Sequence, residues 1–372
     1  MLFGFAIASV IGGESEPVPP TATPSKEPTV TCVPSWESIP SPDPQDGGSL
    51  LLGVSAIAAD DAWAVGGSGD PTDPTHTLAL RWNGAEWDLF ETPNLGSVAN
   101  RFNAVDELSP DAAYAVGKTS NGVSDTPLAA VFEAGTWSLL ALPSDLSEGT
   151  LTGVAAMATD DVWVVGSTGD PVVGSERALA LRWDGSAWER APVIPAIGGG
   201  RSALVAVSAL SADDVWAVGY HHNTPAVLHF DGDAWSRSNA DLQGDLLAVT
   251  AVGQDDAWVV GSTIARFDGT KWSTWGSVRG EGTLGGIGAV SPADVWAVGV
   301  RSPGDSGESK ALVQRWDGDR WSLVGGGGVP GSETLTAIST LPDVTVLGVG
   351  YRDAKGGRST LVIRGTTCLG GA

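Results

Sequence analysis

The chain of 372 residues holds 51 Gly and 23 Pro, and 17% of it is charged against roughly 25% in ordinary globular domains, which excludes long helical bundles and coiled coils. Hydrophobic residues reach 42% and include 16 Trp, too many large apolar groups for a disordered or collagen-like chain, so the class left is all-β with many short strands and turns. With 44 acidic against 20 basic residues the formal charge is −24, which sets nucleic acids and anionic lipid surfaces aside as partners.

Residues 1–13 carry an apolar run, Leu2 to Ile11, too short for the roughly 20 residues of a bilayer-spanning helix. It reads as the remnant of a secretory signal sequence or as an apolar anchor, with no transmembrane span. Residues 14–31 (ESEPVPPTATPSKEPTVT) have almost nothing to bury and read as an extended, solvated linker.

From residue 32 to 372 the composition turns to Gly, Trp, Val and Asp, and a repeat begins. Its clearest piece is an Asp followed by an aromatic-x-Val-Gly run: DAWAVG at Asp61, DAAYAVG at Asp111, DVWVVG at Asp161, DVWAVG at Asp214, DAWVVG at Asp256 and DVWAVG at Asp294. A degenerate seventh copy, DVTVLG, runs from Asp343 to Gly348. The closing glycines recur every 38 to 53 residues.

Each unit adds the same three parts. A small, apolar segment such as Leu52 to Ala58 precedes the Asp turn and reads as a strand buried on both faces. A loop of variable length follows the Gly, then a short run ending in an aromatic, such as Leu80-Arg81-Trp82. That run turns through Asn83-Gly84, or Asp-Gly in other units, into a second aromatic strand starting at Trp87. Asn-Gly and Asp-Gly supply the positive φ angles of a tight hairpin, so these two strands are adjacent and antiparallel. The unit is a four-stranded meander, a to d, and seven of them in a row predict a seven-bladed β-propeller of four-stranded antiparallel blades. The Trp residues are then blade-packing core, and the repeated Asp and strand-c Arg or His form one contact per blade.

The ring closes through the N-terminus. Trp36 with Pro42 copies the d-strand pattern of Trp87 with Pro93 and Trp137 with Pro143, while the last unit supplies only strands a, b and c. The N-terminal strand therefore completes the last blade, which removes both open sheet edges. In this alignment Gly365 takes the hairpin-glycine position, which brings Cys368 near Cys32 as a disulfide worth about 4 kcal/mol in the chain-entropy model and suits an oxidising, extracytoplasmic compartment.

The b strand ending in Gly, the aromatic c strand and the d-strand Trp resemble the kelch and galactose-oxidase type of repeat, with a single glycine in place of the kelch pair. The hairpin at Asp184-Gly185-Ser186-Ala187-Trp188 is similar to the Asp-box of sialidase-type propellers, lacking the residue between Asp and Gly. The WAVG and WDGxxW pattern over residues 36 to 368 also resembles a group of secreted bacterial propellers. These resemblances imply the fold and leave the activity open.

The a-to-b and c-to-d turns are nearly uniform, whereas the b-to-c loops vary freely, and variable loops on a rigid scaffold are where binding residues concentrate. That face holds Asp70, Asp73, His76, Asp170, Arg177, Tyr220, His221, His222, Arg301, Tyr351 and Arg352 as candidate ligand-binding residues. The adjacent His221 and His222 are expected to point apart. No convergent nucleophile, base or metal cluster emerges, so no catalytic residue, metal site or cofactor is assigned; calcium at Asp70 and Asp73 matches no EF-hand spacing. The sequence thus reads as a secreted or cell-surface, monomeric, non-enzymatic propeller that binds a glycan or protein partner through its variable loops. The alternative is a carbohydrate-active hydrolase or lyase with acids at the channel mouth.

The Cys32–Cys368 bridge predicts no free thiol in the unreduced, unfolded protein and two after reduction; a thiol titration giving two in both states rejects it.

Overall fold

The computed structural model describes residues 35–44, 48–192, 197, 200–277, 282–302, 307–325, 331–343 and 345–366. The signal-like segment, the linker, Cys32 and Cys368 lie outside the described residues. No helix among the described residues is long and apolar enough to cross a membrane.

After β1 (Ser35–Ser38), blade 1 comprises β2 (Leu50–Ala58), β3 (Asp61–Ser68), β4 (His76–Trp82) and β5 (Trp87–Phe90). Blade 2 follows with β6 (Ala99–Ser109), β7 (Ala112–Ser120), β8 (Asp125–Glu133) and β9 (Thr136–Leu139), and blade 3 with β10 (Gly149–Ala158), β11 (Asp161–Thr168), β12 (Arg177–Trp183) and β13 (Trp188–Arg190). Blade 4 holds β14 (Ser202–Ser211), β15 (Asp214–His221), β16 (Thr224–Phe230) and β17 (Trp235–Arg237). Blade 5 holds β18 (Leu246–Gly253), β19 (Asp256–Gly261), β20 (Thr263–Phe267) and β21 (Trp272–Ser277). Blade 6 is β22 (Gly282–Ser291), β23 (Asp294–Arg301), β24 (Lys310–Trp316) and β25 (Trp321–Gly325). Blade 7 is β26 (Ser332–Thr340), β27 (Thr345–Ala354) and β28 (Gly357–Thr366), with β1 as its outermost strand. All seven sheets are antiparallel, and the chain is a seven-bladed β-propeller closed by its N-terminal strand.

Every a:b pair carries a bulge at the same place, between Leu51 and Gly53 in blade 1 and at the equivalent points of the other six. The extra residue swings the preceding carbonyl toward strand b. A Cβ at Gly66 would collide with the Leu50 carbonyl oxygen, and the same collision recurs at Gly117, Gly166, Gly219, Gly261, Gly299 and Gly350. The glycine closing each WAVG run is therefore the counterpart of the bulge. In blade 7 this residue is Gly350; the sequence pattern had placed it at Gly348, because the a-to-b turn there is longer and Thr340 pairs with Val346.

Polar groups on the inner strands link successive blades at several seams. The Ala56 amide donates to Ser339 Oγ (3.1 Å), the Glu107 amide to Ser55 Oγ (3.0 Å), the Ala156 amide to Asp106 Oδ2 (2.7 Å) and the Ala251 amide to Ser208 Oγ (3.0 Å). The first of these joins blade 7 to blade 1, so the closing seam is built like the internal ones.

Farther out, a d-strand Trp packs on the b-strand aromatic of the preceding blade in five of the seven seams. Trp137 lies 5.0 Å from Trp63, Trp235 5.4 Å from Trp163, Trp272 5.8 Å from Trp216 and Trp321 5.3 Å from Trp258. Trp36 of β1 repeats this at 5.7 Å from Trp296. Trp36 pairs with Gly365 as Trp87 pairs with Trp82, so Gly365 stands at the c-strand aromatic position and not at the hairpin glycine. A Cβ there would strike the Trp36 ring, which fills the space the missing aromatic would occupy.

The contact between the turn Asp and a strand-c base occurs in five blades, with Arg in four and His in one. Arg81, Arg182, Arg266 and Arg315 reach Asp61, Asp161, Asp256 and Asp294 at 2.6 to 2.9 Å, and His229 reaches Asp214 at 2.8 Å. Each guanidinium also lies 5.1 to 5.4 Å over the Trp of its own strand b. Blade 2 has Val131 in place of the Arg, and Arg364 of blade 7 turns to Glu37 of β1, so the contact is not universal. In the c-to-d hairpin of blade 1 only the glycine takes a positive φ, 92° at Gly84, while the Asn83 side chain accepts the Ala85 and Glu86 amides at 3.0 Å; in blade 2 both Ala134 (50°) and Gly135 (81°) take one. The blade 1 connection is a four-residue Asx-capped turn, whereas blade 2 turns in two residues, Glu133 pairing with Thr136.

Glu107 of β6 breaks the pattern of small residues at its position. Its side chain is fully buried, neither oxygen takes a hydrogen bond, and Arg81 stands 4.0 Å away. Burial, reinforced by the neighbouring Asp61 carboxylate, pushes its pKa up to about 8.

Two outcomes follow from these contacts. Gly166→Ala drives a methyl into the Thr150 carbonyl and should cost several kcal/mol in a urea titration, whereas Gly356→Ala, with open space around it, should be neutral; equal midpoints would reject the bulge account. Because the folded-state pKa of Glu107 lies above its unfolded value, its contribution is fully present below about pH 4.5 and is lost as pH rises through about 8. Between pH 5 and 8 the wild type should lose stability relative to Glu107→Gln by up to about 1.4 kcal/mol per pH unit; parallel pH profiles would exclude this.

Candidate functional site

Seven inner strands enclose an axial channel that a collar of β-branched residues divides in two. Val54, Val105, Val154, Val207, Ile287 and Ile338 line both halves, and Val249 completes the ring. The collar residue is the first inward-facing position after the bulge of each inner strand, so the same backbone device that requires the glycines also seats the collar.

Above the collar, toward the b-to-c loops, is a vestibule of about 570 Å³. Its wall is mostly aliphatic, with Leu52, Val205 and Leu247 at bulge positions. Thr150, Thr283 and Thr334 add hydroxyls near the mouth, and Arg101 is the one charged residue on the wall among the described residues. The bulge residues Thr152 and Thr336 turn aside, donating to the carbonyls of Leu204 (3.0 Å) and Leu51 (2.9 Å) in the next blade. Below the collar, a polar vestibule of about 350 Å³ is lined by Ser55, Ser208, Thr250 and Ser339, with Asp106 as its one charge. Burial raises the Asp106 pKa to about 6 against the opposing pull of the Ala156 amide and the Ser55 hydroxyl.

The eleven candidate residues named above all lie at the b-to-c end of the blades, spread around the rim, and none lines the axial vestibule. Asp73 and Asp170 meet in a cleft of about 270 Å³ beside blades 2 and 3, with Asp125, Glu148 and Glu176. Tyr220 joins this group by donating its hydroxyl to Glu176 Oε2 (2.7 Å), to which Arg201 Nε also donates (3.0 Å). Burial and the Glu176 carboxylate push the Tyr220 pKa up to about 12. Asp70 and Asp170 cap their own loops, accepting the amides of Thr72 (2.8 Å) and Val172 (2.7 Å).

His222 has a φ of 49°, which folds its ring back to 4.3 Å from that of His221, so the pair does not point apart. No three His, Cys, Asp or Glu side chains among the described residues gather closely enough to hold a metal ion. Tyr351 and Arg352 belong to β27 and not to a loop: Arg358 lies 4.0 Å over the Tyr351 ring, and Arg352 is 3.5 Å from the buried Glu333. His76, Arg177 and Arg301 stand exposed at strand ends, His76 against the Thr75 hydroxyl (2.9 Å) and Arg177 donating to the Glu176 carbonyl (2.7 Å).

The loop comparison missed Arg101 and the vestibule threonines because they sit on inner strands. The signal was present: the residue before the invariant apolar position of strand a is Leu50, Arg101, Thr150, Ala203, Asp245, Thr283 and Thr334, too varied for packing alone.

No family model and no curated protein sequence matches the chain. Solved structures do match. YCF48 bound to D1 peptide is similar with a TM-score of 0.60 at 18% identity, over 90% of this chain and 97% of that one. YCF48 from Cyanidioschyzon merolae gives 0.57 at 17%, covering 89% and 98%. A selenomethionine form of virginiamycin B lyase from Staphylococcus aureus gives 0.61 at 12%, covering 90% and 100%. At such identities the likeness is one of fold.

Proposed function

We propose that this protein is a non-enzymatic binding propeller, exported from the cytoplasm, that seats a segment of a protein partner in the vestibule above the collar and steadies it with the surrounding b-to-c loops. The observation that carries this reading is the mostly aliphatic vestibule of about 570 Å³ opening on the loop face, a size typical of ligand sites. A rigid inner wall under variable loops is the arrangement in which a fixed scaffold presents adaptable contacts. One solved neighbour carries a bound peptide, which is consistent with this use of the fold. A glycan, with a hydroxyl on nearly every carbon, would find few partners on the aliphatic wall. Glycoside hydrolysis needs two facing carboxyl groups about 5 to 10 Å apart, and the wall of this vestibule bears none among the described residues. Export, the Cys32–Cys368 bridge and the kelch-like ancestry belong to the same proposal, on the sequence features given above.

Peptide and glycan arrays probed with wild type and with Leu247→Trp, which fills the vestibule, test the reading. Peptides should be captured and should lose at least tenfold in affinity in the filled variant. Undiminished capture, glycan hits alone, or turnover of a captured compound would reject it.

A further inference from the structure

Arg101 is the one charged residue on the wall of the axial vestibule among the described residues. It leaves β6 at the mouth of the axial vestibule, partly buried, and its Nε donates to Asn103 Oδ1 at 3.0 Å. Its two terminal nitrogens make no hydrogen bond to any described residue, although a guanidinium carries five donors. The nearest carboxylates do not take this role. Lys118 already binds Asp125 at 2.7 Å and stands 3.7 Å from Asp73. Burial pulls the Arg101 pKa below its ordinary value, and Asp73 and Asp125 only partly offset that. Guanidinium nitrogens that no protein group claims are open to an anionic partner, and a charge-assisted pair formed in a partly shielded mouth is stronger than the same pair in bulk water.

We infer that Arg101 makes the vestibule a receptor for a carboxylate carried on an apolar body, either the C-terminus of a peptide ending in aliphatic residues or a free aliphatic acid. This inference rests on the vestibule reading above. One guanidinium offers a fork that matches a carboxylate in bidentate fashion and balances a single negative charge. A phosphate monoester carries closer to two, and the wall presents no second cation among the described residues. The aliphatic wall formed by Leu52, Val205, Leu247 and the collar takes the apolar part, and the Thr150, Thr283 and Thr334 hydroxyls are placed for the polar backbone near the mouth. The overall charge of −24 does not forbid an anion here, because fields from charges beyond roughly 8 Å are screened at physiological salt.

The test uses the full chain with three probes: a tetrapeptide Ac-Gly-Ala-Val-Leu with a free C-terminus, the same peptide as its C-terminal amide, and octanoate. Binding is followed by calorimetry and by the arginine side-chain NMR signals. The acid peptide should bind at least tenfold tighter than the amide and shift the Arg101 signal. Arg101→Gln should abolish that preference with an unchanged unfolding temperature, and Arg101→Lys should restore part of it. Octanoate binding as tightly as the acid peptide identifies the ligand as a small acid, and weaker binding identifies a chain terminus; both outcomes support the inference. Equal binding of acid and amide, both lost in Leu247→Trp, overturns the carboxylate inference and leaves the vestibule reading standing. Binding unaffected by both Arg101→Gln and Leu247→Trp, or no binding of any probe, overturns the carboxylate receptor; unaffected binding also counts against the vestibule.

Discussion

In each blade a carbonyl oxygen on the inner strand lies against a glycine Cα on the strand beside it, and the rest of the ring is arranged around that contact. The bulge that creates it tightens the local twist of the inner strand and moves one residue out of the ladder. Only a residue without a Cβ can face the displaced carbonyl, which is why Gly66 and its six counterparts cannot be exchanged for any other type. The displaced residue is free to do something else. As Asn103, Thr152 or Thr336 it bonds to the carbonyl of the next blade, and as Leu52, Val205 or Leu247 it lines the axis.

Outward from the axis, four of the seams between blades are aromatic edge-to-face contacts capped by a guanidinium. The Asp at the a-to-b turn holds the Arg in the plane it needs to lie over Trp63, Trp163, Trp258 or Trp296, and that Trp in turn receives the d-strand Trp of the following blade. Such aromatic pairs contribute about 0.5 to 1.5 kcal/mol beyond area burial. The cation adds about 0.5 to 2 kcal/mol, depending on how far it is shielded from water. Because each seam shares a Trp with only one neighbour, stability is close to a sum of nearest-neighbour terms, and the seam between β1 and blade 6 has to match the others for the ring to hold. Trp36 satisfies this with the same partner type and spacing.

Blade number, strand order and the closing strand were legible because hairpin turns and packing aromatics are local, repeated and made of few residue types. The register of blade 7 was not, since DVTVLG imitates the motif while a longer turn shifts its pairing by two residues. The hairpin at Gly84 was read from its dipeptide, yet the geometry depends on Asn83 capping two amides, which the dipeptide alone does not distinguish. The rim residues were found by their variability, and they do share one face. Which of them touch depends on how far each loop folds back, as with Tyr220 reaching Glu176 of another blade. Arg101 was overlooked because an inner strand was expected to be uniformly apolar.

That expectation fails mainly in one blade, and this bears on where recognition sits. Repeated positions in a propeller are committed to packing, so selectivity has to come from inner-strand positions where the copies differ. Blade 2 departs furthest: β6 carries Arg101, Asn103, Asp106 and Glu107 where β2 carries Leu50, Leu52, Ser55 and Ala56, β7 has Tyr114 for Trp, and β8 has Val131 for Arg. Glu107, at a position where the other inner strands carry Ala or Thr, lies 4.0 Å from Arg81 of blade 1. The same strand places a cation above the collar at Arg101 and an anion below it at Asp106, with Val105 of the collar between them. A sheet that breaks its own repeat to point opposite charges into the two ends of the axis polarises the channel along its length. The upper end, aliphatic and cationic, is then the one suited to receive an anionic group on an apolar body.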